Sequence, residues 1–489
     1  MKAEERINRL KLIIDNTVSF FGSLLLNRLL NFLVSIWLVR YLGPVQLGQY
    51  SFVLAFVSLF ALFCDLSIGQ LVICQVSKDH SLANRYLGSY LIIQFLISLT
   101  VLSIMLGVIS NLHYSQLIRL ALYIAGINLF ASSLSAPFYN LIIAFEKLRF
   151  NALMSVISNI FYCLLILSTI YFRKGILVLI SATLLTSILE FIMNVLVCLR
   201  IGVWPDFRFD KKIWQILLKY IGPFAFYLIF TGLYRRIDVV VLQYLQGDTA
   251  VGFYSAAYKI IFLFLLLPAS FIKAIFPLLS EQASRDREKL AQTLLWSMKH
   301  LVALGLPIAI SCAFFSGQII ELLFGPAFLN SSLILSILGW SLVFSFWNHI
   351  LSNSLVAAVK MFEVISGTIA VFILNLFLNL ILIPKFSYIG SAYSIMISEL
   401  LAGVWFYIAI RKSISFKHPL VELFKIIIAT LAMVILLWFL RGFNLFIAMG
   451  LGLIIYTSVL LSLKFISPAE KILLKEVVRI KNFKPCQKD

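Results

Sequence analysis

The chain has 489 residues, of which 62% are hydrophobic and only 12% charged. A soluble domain carries about 45–50% apolar and about 25% charged residues. With a mean hydropathy of +1.01, the composition excludes a water-soluble enzyme and a disordered tail protein and leaves an integral membrane protein. Forty Lys and Arg stand against 21 Asp and Glu, a formal charge of +19. The basic residues sit between apolar runs, which reads as positive loops on one side of a membrane and not as a nucleic-acid surface.

The opening residues, MKAEERINRLKL, are charged and no small-residue cleavage site follows, so the first apolar run is expected to remain as a helix. About fourteen spanning helices are predicted, with cores at 15–38, 49–73, 86–110, 117–143, 151–172, 176–199, 219–244, 251–278, 292–315, 330–357, 363–384, 389–410, 421–440 and 444–466. These runs are too long for the strands of a transmembrane barrel, which need only about ten residues of alternating pattern. None of the six cysteines is paired at C-x-x-C spacing, so neither a disulfide framework nor a zinc site is expected.

Counting cations in the connections predicts the orientation. With both termini cytoplasmic, only Arg40, Arg173, Lys174, Lys385 and Arg441 fall in outward connections, and the other loop cations face the cytoplasm. The outward loops are short, which excludes a large external catalytic or receptor domain. The expected organisation is an N-lobe of six helices over 1–199, a cytoplasmic linker over 200–218, and a C-lobe of six helices over 219–410. Two added helices over 411–466 and a basic tail over 467–489 follow. The tail reads as an amphipathic stretch lying on the inner leaflet; the alternative is a frayed, solvated end.

An internal repeat supports the two-lobe reading. Gly43-Pro-Val-Gln-Leu-Gly48-Gln-Tyr50-Ser51 and Gly247-Asp-Thr-Ala-Val-Gly252-Phe-Tyr254-Ser255 share the pattern G-x-x-x-x-G-x-Y-S at an offset of 204 residues. Each copy falls in the outward turn between two helices, first and second, then seventh and eighth. An even number of spans between the copies makes the repeat parallel. Two six-helix halves around a central cavity is a transporter architecture.

Ionisable residues at bilayer depth are functional candidates, because each costs roughly 2.5–3.5 kcal/mol on insertion scales unless it faces protein or water. Arg119, Lys299 and Lys425 lie near helix ends and can snorkel. Arg28, Arg235, Arg236, Lys259 and Lys273 are deeper. Ser23, Asn27, Asn31 and Ser35 recur every four residues and form one polar stripe, flanked by Arg28. The stripe is expected to face a cavity; the alternative is helix–helix hydrogen bonding. Arg235 can pair with Asp238 at i, i+3, which leaves Arg236 unpaired. Lys259 and Lys273, close to four turns apart, are predicted on nearly the same side of one helix, where each can either meet an anion or snorkel. Asp65, Asp238, Glu399 and Glu190 are counter-ions or sites for a coupling proton or sodium ion. Asn348, His349, Asn353, Asn375 and Asn379 add polarity, with His349 read as a packed residue. A cavity rich in Arg and Lys, flanked by Asn and aromatics, suits a large anionic substrate.

Leu38-Val-Arg-Tyr-Leu-Gly-Pro-Val-Gln-Leu-Gly-Gln-Tyr50 with Asp65-Leu-Ser-Ile-Gly69, then Tyr234-Arg-Arg-Ile-Asp-Val-Val-Val-Leu242 with Gly252-Phe-Tyr-Ser-Ala-Ala-Tyr258, resemble polysaccharide-biosynthesis flippases of the Wzx type. Asn375-Leu-Phe-Leu-Asn-Leu-Ile-Leu-Ile-Pro384 followed by Gly390-Ser-Ala-Tyr resembles a third region, with Ser391 where Ala is common. That family lies in the multidrug/oligosaccharidyl-lipid/polysaccharide exporter superfamily. The resemblance implies an all-α, two-lobed bundle with alternating access. It also implies undecaprenyl-pyrophosphate-linked oligosaccharide as substrate, moved from the cytoplasmic to the outer leaflet of a bacterial or archaeal cytoplasmic membrane for O-antigen or another surface polysaccharide. Arg28, Arg236 and Lys259 would then hold pyrophosphate, with Asn27, Asn31, Arg235 and Lys273 as further substrate contacts. Asp65, Asp238 and Glu399 are the candidates for coupling to sodium ion or proton. No cofactor, metal or nucleic acid is expected. Membrane lipids and a polysaccharide polymerase and ligase are the expected partners. A lipid II flippase or a multidrug extruder of the same superfamily is the alternative. A membrane enzyme would need a large outward loop, and ATP hydrolysis would need a G-x-x-x-x-G-K-[ST] loop; the sequence has neither.

Overall fold

The computed structural model describes residues 2–112, 114–208, 210–219, 223–414 and 420–465. Among these the chain is a helical bundle without strands. The helices are α1 (Lys2–Cys64), α2 (Ile68–Val76), α3 (Ala83–Asn111), α4 (Gln116–Ala144), α5 (Leu148–Tyr171) and α6 (Ile176–Ile201). Next come α7 (Lys211–Lys219), α8 (Pro223–Tyr234), α9 (Ile237–Gln246), α10 (Asp248–Phe264), α11 (Leu266–Arg285) and α12 (Arg287–Phe314). The rest are α13 (Ser316–Phe324), α14 (Ser331–Ala357), α15 (Met361–Phe386), α16 (Tyr388–Ser413), α17 (Leu420–Phe439) and α18 (Leu445–Ser462).

Twelve helical stretches are long and apolar enough to cross a membrane. One of them, Gly22–Cys64, is bent back at Gly43 and makes two crossings. A further crossing is split into α8 and α9, each too short to count alone. The chain is thus a multi-pass membrane protein, and its described residues make fourteen crossings, as the apolar runs predict. Three crossings expected to be continuous are interrupted. The second breaks at 65–67, with Ser67 at φ 62°; the seventh breaks at Arg235–Arg236; the eighth breaks at Leu265. An average over about 20 residues measures apolar length and is blind to a gap in the hydrogen-bond ladder.

The repeat is visible in the backbone. Gly43 (φ 66°, ψ 177°) and Gly247 (φ 77°, ψ −172°) make the same turn between consecutive crossings, in a region essentially reserved for glycine. Crossings one to six and seven to twelve form two lobes, which meet through α1 and α10. The last two crossings lean on α12, where Met433, Leu437 and Tyr456 are buried and the Tyr456 hydroxyl donates to the Ala303 carbonyl at 2.7 Å.

The linker contains an amphipathic helix, α7. Its Ile213 and Leu217 are buried against Leu87 and Tyr90 of the first lobe, while Lys211 and Lys212 are exposed. The connection at 316–329, read from sequence as a loop, holds α13 and a single 3-10 turn. The basic tail from 467 onward lies outside the described residues.

Candidate substrate site between the lobes

The break in the seventh crossing places two arginines in the middle of a spanning segment. The N–H of Arg235 donates to the Gly232 carbonyl and that of Arg236 to the Leu233 carbonyl, so both residues sit in a turn between α8 and α9. Both side chains are exposed, and neither forms a hydrogen bond or ion pair among the described residues. Arg28 enters from the first lobe: its guanidinium lies 5.1 Å from the ring centroid of Phe262 on α10, near enough to Arg235 for mutual repulsion. Lys259, half-buried on α10, stands in the same relation to Arg236. Four of the predicted cations are therefore brought together, one from the first lobe and three from the second. Lys273 is exposed on α11, beyond the break at Leu265 and about 20 Å from Lys259 along the axis.

The polar stripe of the first crossing does not join this cluster. Asn27 Nδ2 donates to Ser155 Oγ at 2.8 Å, and Cys163 Sγ lies 3.9 Å from Asn31 Oδ1, both partners being on α5. The helix-packing reading fits these contacts better than the cavity reading. Asn375 and Asn379 are buried, in a chain running from Asn379 Nδ2 to Asn375 Oδ1 at 3.0 Å and from Asn375 Nδ2 to Ser398 Oγ at 3.3 Å.

The expected pair of Arg235 and Asp238 is absent among the described residues. The helix break between them destroys the i, i+3 geometry. Asp238 begins α9 and is buried against α10, where its carboxylate accepts from the Tyr254 hydroxyl. Its other oxygen is buried without a partner. Glu399 accepts from the Tyr234 hydroxyl at 3.0 Å and from Asn348 Nδ2 at 2.7 Å. It borders a cavity of about 270 Å³ inside the second lobe that also holds Arg235, Tyr258 and His349. Asp65 occupies a separate cavity of about 360 Å³ in the first lobe. The three acidic candidates for ion coupling thus lie in three surroundings.

Sequence reasoning did not find the contacts that join the lobes at their Gly43 and Gly247 ends. Gln49 Nε2 donates to Asp248 Oδ2 at 2.8 Å. Arg40 Nε donates to the Leu323 carbonyl at 2.8 Å, at the C-terminal end of α13, where a cation also complements the helix dipole. The repeated G-x-x-x-x-G carried the signal, read as symmetry and not as contact.

Fold and site together define a two-lobed membrane transporter with a cationic inner space. The polysaccharide biosynthesis protein family matches residues 13–283, more than half of the chain, and the chain belongs to that family. The MatE family matches residues 223–381. The capsular polysaccharide biosynthesis protein CapF of Staphylococcus aureus is 23% identical over 412 residues, covering 81% of this chain and 98% of CapF. The probable low-salt glycan biosynthesis flippase Agl15 of Haloferax volcanii is 25% identical, covering 50% of this chain and 53% of that protein. Among solved structures, the lipid II flippase MurJ in an inward closed conformation superposes with a TM-score of 0.74 at 18% identity, covering 90% of this chain and 97% of MurJ. An inward-facing multidrug resistance MATE transporter gives a TM-score of 0.65 at 15% identity, covering 79% of this chain and 95% of the transporter. These likenesses show a fold shared with both transporters.

Proposed function

We propose that this protein is a flippase that carries undecaprenyl-pyrophosphate-linked oligosaccharide from the cytoplasmic to the outer leaflet by alternating access. The observation that carries the reading is the convergence of Arg28, Arg235, Arg236 and Lys259 at mid-crossing, without an ion pair among the described residues. Uncompensated cations at that depth cost several kcal/mol, and a visiting dianion would offset the cost. Guanidinium forks match phosphate oxygens, and the lysine adds a point charge. The excess of basic residues in the loops at the end opposite Gly43 supports a cytoplasmic position for that end. Family membership and the glycan-flippase relatives support a lipid-linked sugar as cargo. Coupling to sodium ion or proton is proposed at Glu399, which borders the second-lobe cavity, or at the buried Asp238. Lipid II is the second reading, favoured by the fold shared with MurJ.

The test is flipping in liposomes. Lipid-pyrophosphate oligosaccharide and lipid II are supplied separately, scored by access of an external reagent to the sugar, with and without a sodium or proton gradient. Protein-dependent exposure of the oligosaccharide supports the first reading. Exposure of lipid II alone supports the second. Exposure of neither, with export of an organic cation, overturns both.

A further inference from the structure

The first-lobe cavity differs in chemistry from the cationic cluster. It is formed where the second crossing breaks, and α3 and α4 line its walls. Its residues include Asp65, Gln70, Tyr90, Tyr139 and Asn140, and among the described residues no Lys or Arg lines it. The Asp65 side chain is exposed to the cavity and, among the described residues, accepts only the Ser67 N–H, at 3.4 Å. The Ser67 hydroxyl also lines the space, is buried, and has no partner. Among the described residues, the side-chain amide of Gln70 and the Tyr139 hydroxyl make no hydrogen bond. Asn140 donates to the Tyr90 hydroxyl at 3.3 Å, which leaves its carbonyl oxygen to accept. Unspent donors and acceptors around aromatic faces suit a ligand that is hydroxyl-rich on its edges and apolar on its faces.

The volume argues against a bare cation. A cation site converges several oxygens on one point about 2–2.6 Å away; here a single carboxylate opens on about 360 Å³, the scale of a small-molecule pocket. Position argues for a sugar. Leu228 of α8, from the second lobe, is among the lining residues, so the cavity borders the contact between the lobes. Leu228 lies two helical turns before Arg235, roughly 10 Å towards the basic end. A pyrophosphate held by Arg235 would extend its first sugars towards this cavity.

We infer that this first-lobe cavity is a saccharide subsite that reads the sugars nearest the pyrophosphate, accepting neutral or amino sugars and rejecting uronic acids through Asp65. The inference rests on the flippase reading above. Asp65 is then a specificity group, and like charge against a uronate carboxylate supplies the rejection.

The test uses the full-length protein in liposomes and three substrates on one polyprenyl tail: bare pyrophosphate, pyrophosphate bearing an N-acetylglucosamine disaccharide, and pyrophosphate bearing a glucuronyl disaccharide. Flipping is scored by cleavage with an external pyrophosphatase. Wild-type protein should move the neutral glycan about tenfold or more faster than the acidic one. Asp65→Asn should bring the two rates within a few-fold of one another, chiefly by raising the acidic one. Tyr139→Leu should slow both glycans and spare the bare pyrophosphate, and Tyr139→Phe should retain most of the glycan rate. Equal slowing of all three substrates in Asp65→Asn, or loss of gradient dependence with the substrate ratio unchanged, overturns the subsite. Wild-type protein that moves none of the three overturns the flippase reading instead.

Discussion

Gly252 stands so close to Pro44 that a methyl group added to it would overlap the Pro44 carbonyl oxygen, and Gly48 stands in the same relation to the Asp248 carbonyl. The two contacts are exchanged by the 204-residue offset: Pro44 corresponds to Asp248 and Gly48 to Gly252. Each lobe lays its own copy of the motif against the other's backbone. Only a residue without a side chain permits that approach, so the repeat is the seam that closes one end of the space between the lobes.

Gly252→Ala should hold the seam open. Forcing a methyl group into a packed contact typically costs about 1–3 kcal/mol, and separating the lobes relieves it. Thiol labelling of Gln49→Cys, in a background without the native cysteines, should rise severalfold in the Ala variant while transport falls. Unchanged labelling would mean that the seam tolerates the methyl group and does not gate.

Arg28 and Arg235 should behave as one device. Arg→Ala at either position should abolish flipping at normal expression, and Arg→Lys should restore part of it, since charge survives without the fork. Groups that act as a unit are strongly non-additive. The double Ala variant should therefore lose little more than the worse single variant, and multiplied losses would show two separate roles.

Asn27→Ala tests the packing of the first crossing on α5. Losing the bond to Ser155 should cost about 0.6 kcal/mol, the average for interhelical hydrogen bonds in a membrane. Ser155→Ala should cost the same, and the double change no more than either, in detergent unfolding. Flipping per folded molecule should stay at the wild-type rate. A selective loss of flipping in Asn27→Ala, with stability intact, would return Asn27 to the substrate site.

Tyr254→Phe removes the hydroxyl that Asp238 accepts from, inside the second lobe. A buried carboxylate deprived of its donor should destabilise the fold by about 1–3 kcal/mol or more. Asp238→Asn should lessen the penalty of Tyr254→Phe, because a neutral amide is cheaper to leave without that donor. Thermal unfolding of the two single variants and the double variant measures the coupling.

Asp286 caps α12 at the basic end, accepting from the N–H groups of Lys289 and Glu288. The Lys289 backbone bond, chief among several, lowers its carboxyl below the ordinary 3.8. A depressed folded-state value gives stability that is full above the ordinary carboxyl range and lost as pH falls through the lowered value. Exchange of the Lys289 amide should therefore be protected near neutral pH. After correction for the intrinsic rate, that protection should fall as pH drops below the ordinary carboxyl value, with no such step in Asp286→Ala.

Much of the architecture was legible in the residues. Hydropathy is a local property, and bilayer thickness converts an apolar run of about 20 residues into a crossing. The sequence alone therefore determined the fourteen crossings, the short connections, the sidedness of the loop charge and the parallel repeat. The candidate cations were legible for the same reason, since charge at depth stands out against apolar neighbours. What each polar side chain meets was decided only by the tertiary structure. Helical spacing puts Asn27 and Asn31 on one face but does not say that each meets a side chain of α5. It puts Arg235 three residues from Asp238 but does not say that the helix breaks between them. It names Asp65 as a lone charge without the cavity that α3 and α4 build around it. Periodicity reports which residues share a side of one helix, and function depends on which second helix, cavity or lobe that side faces once the chain has packed.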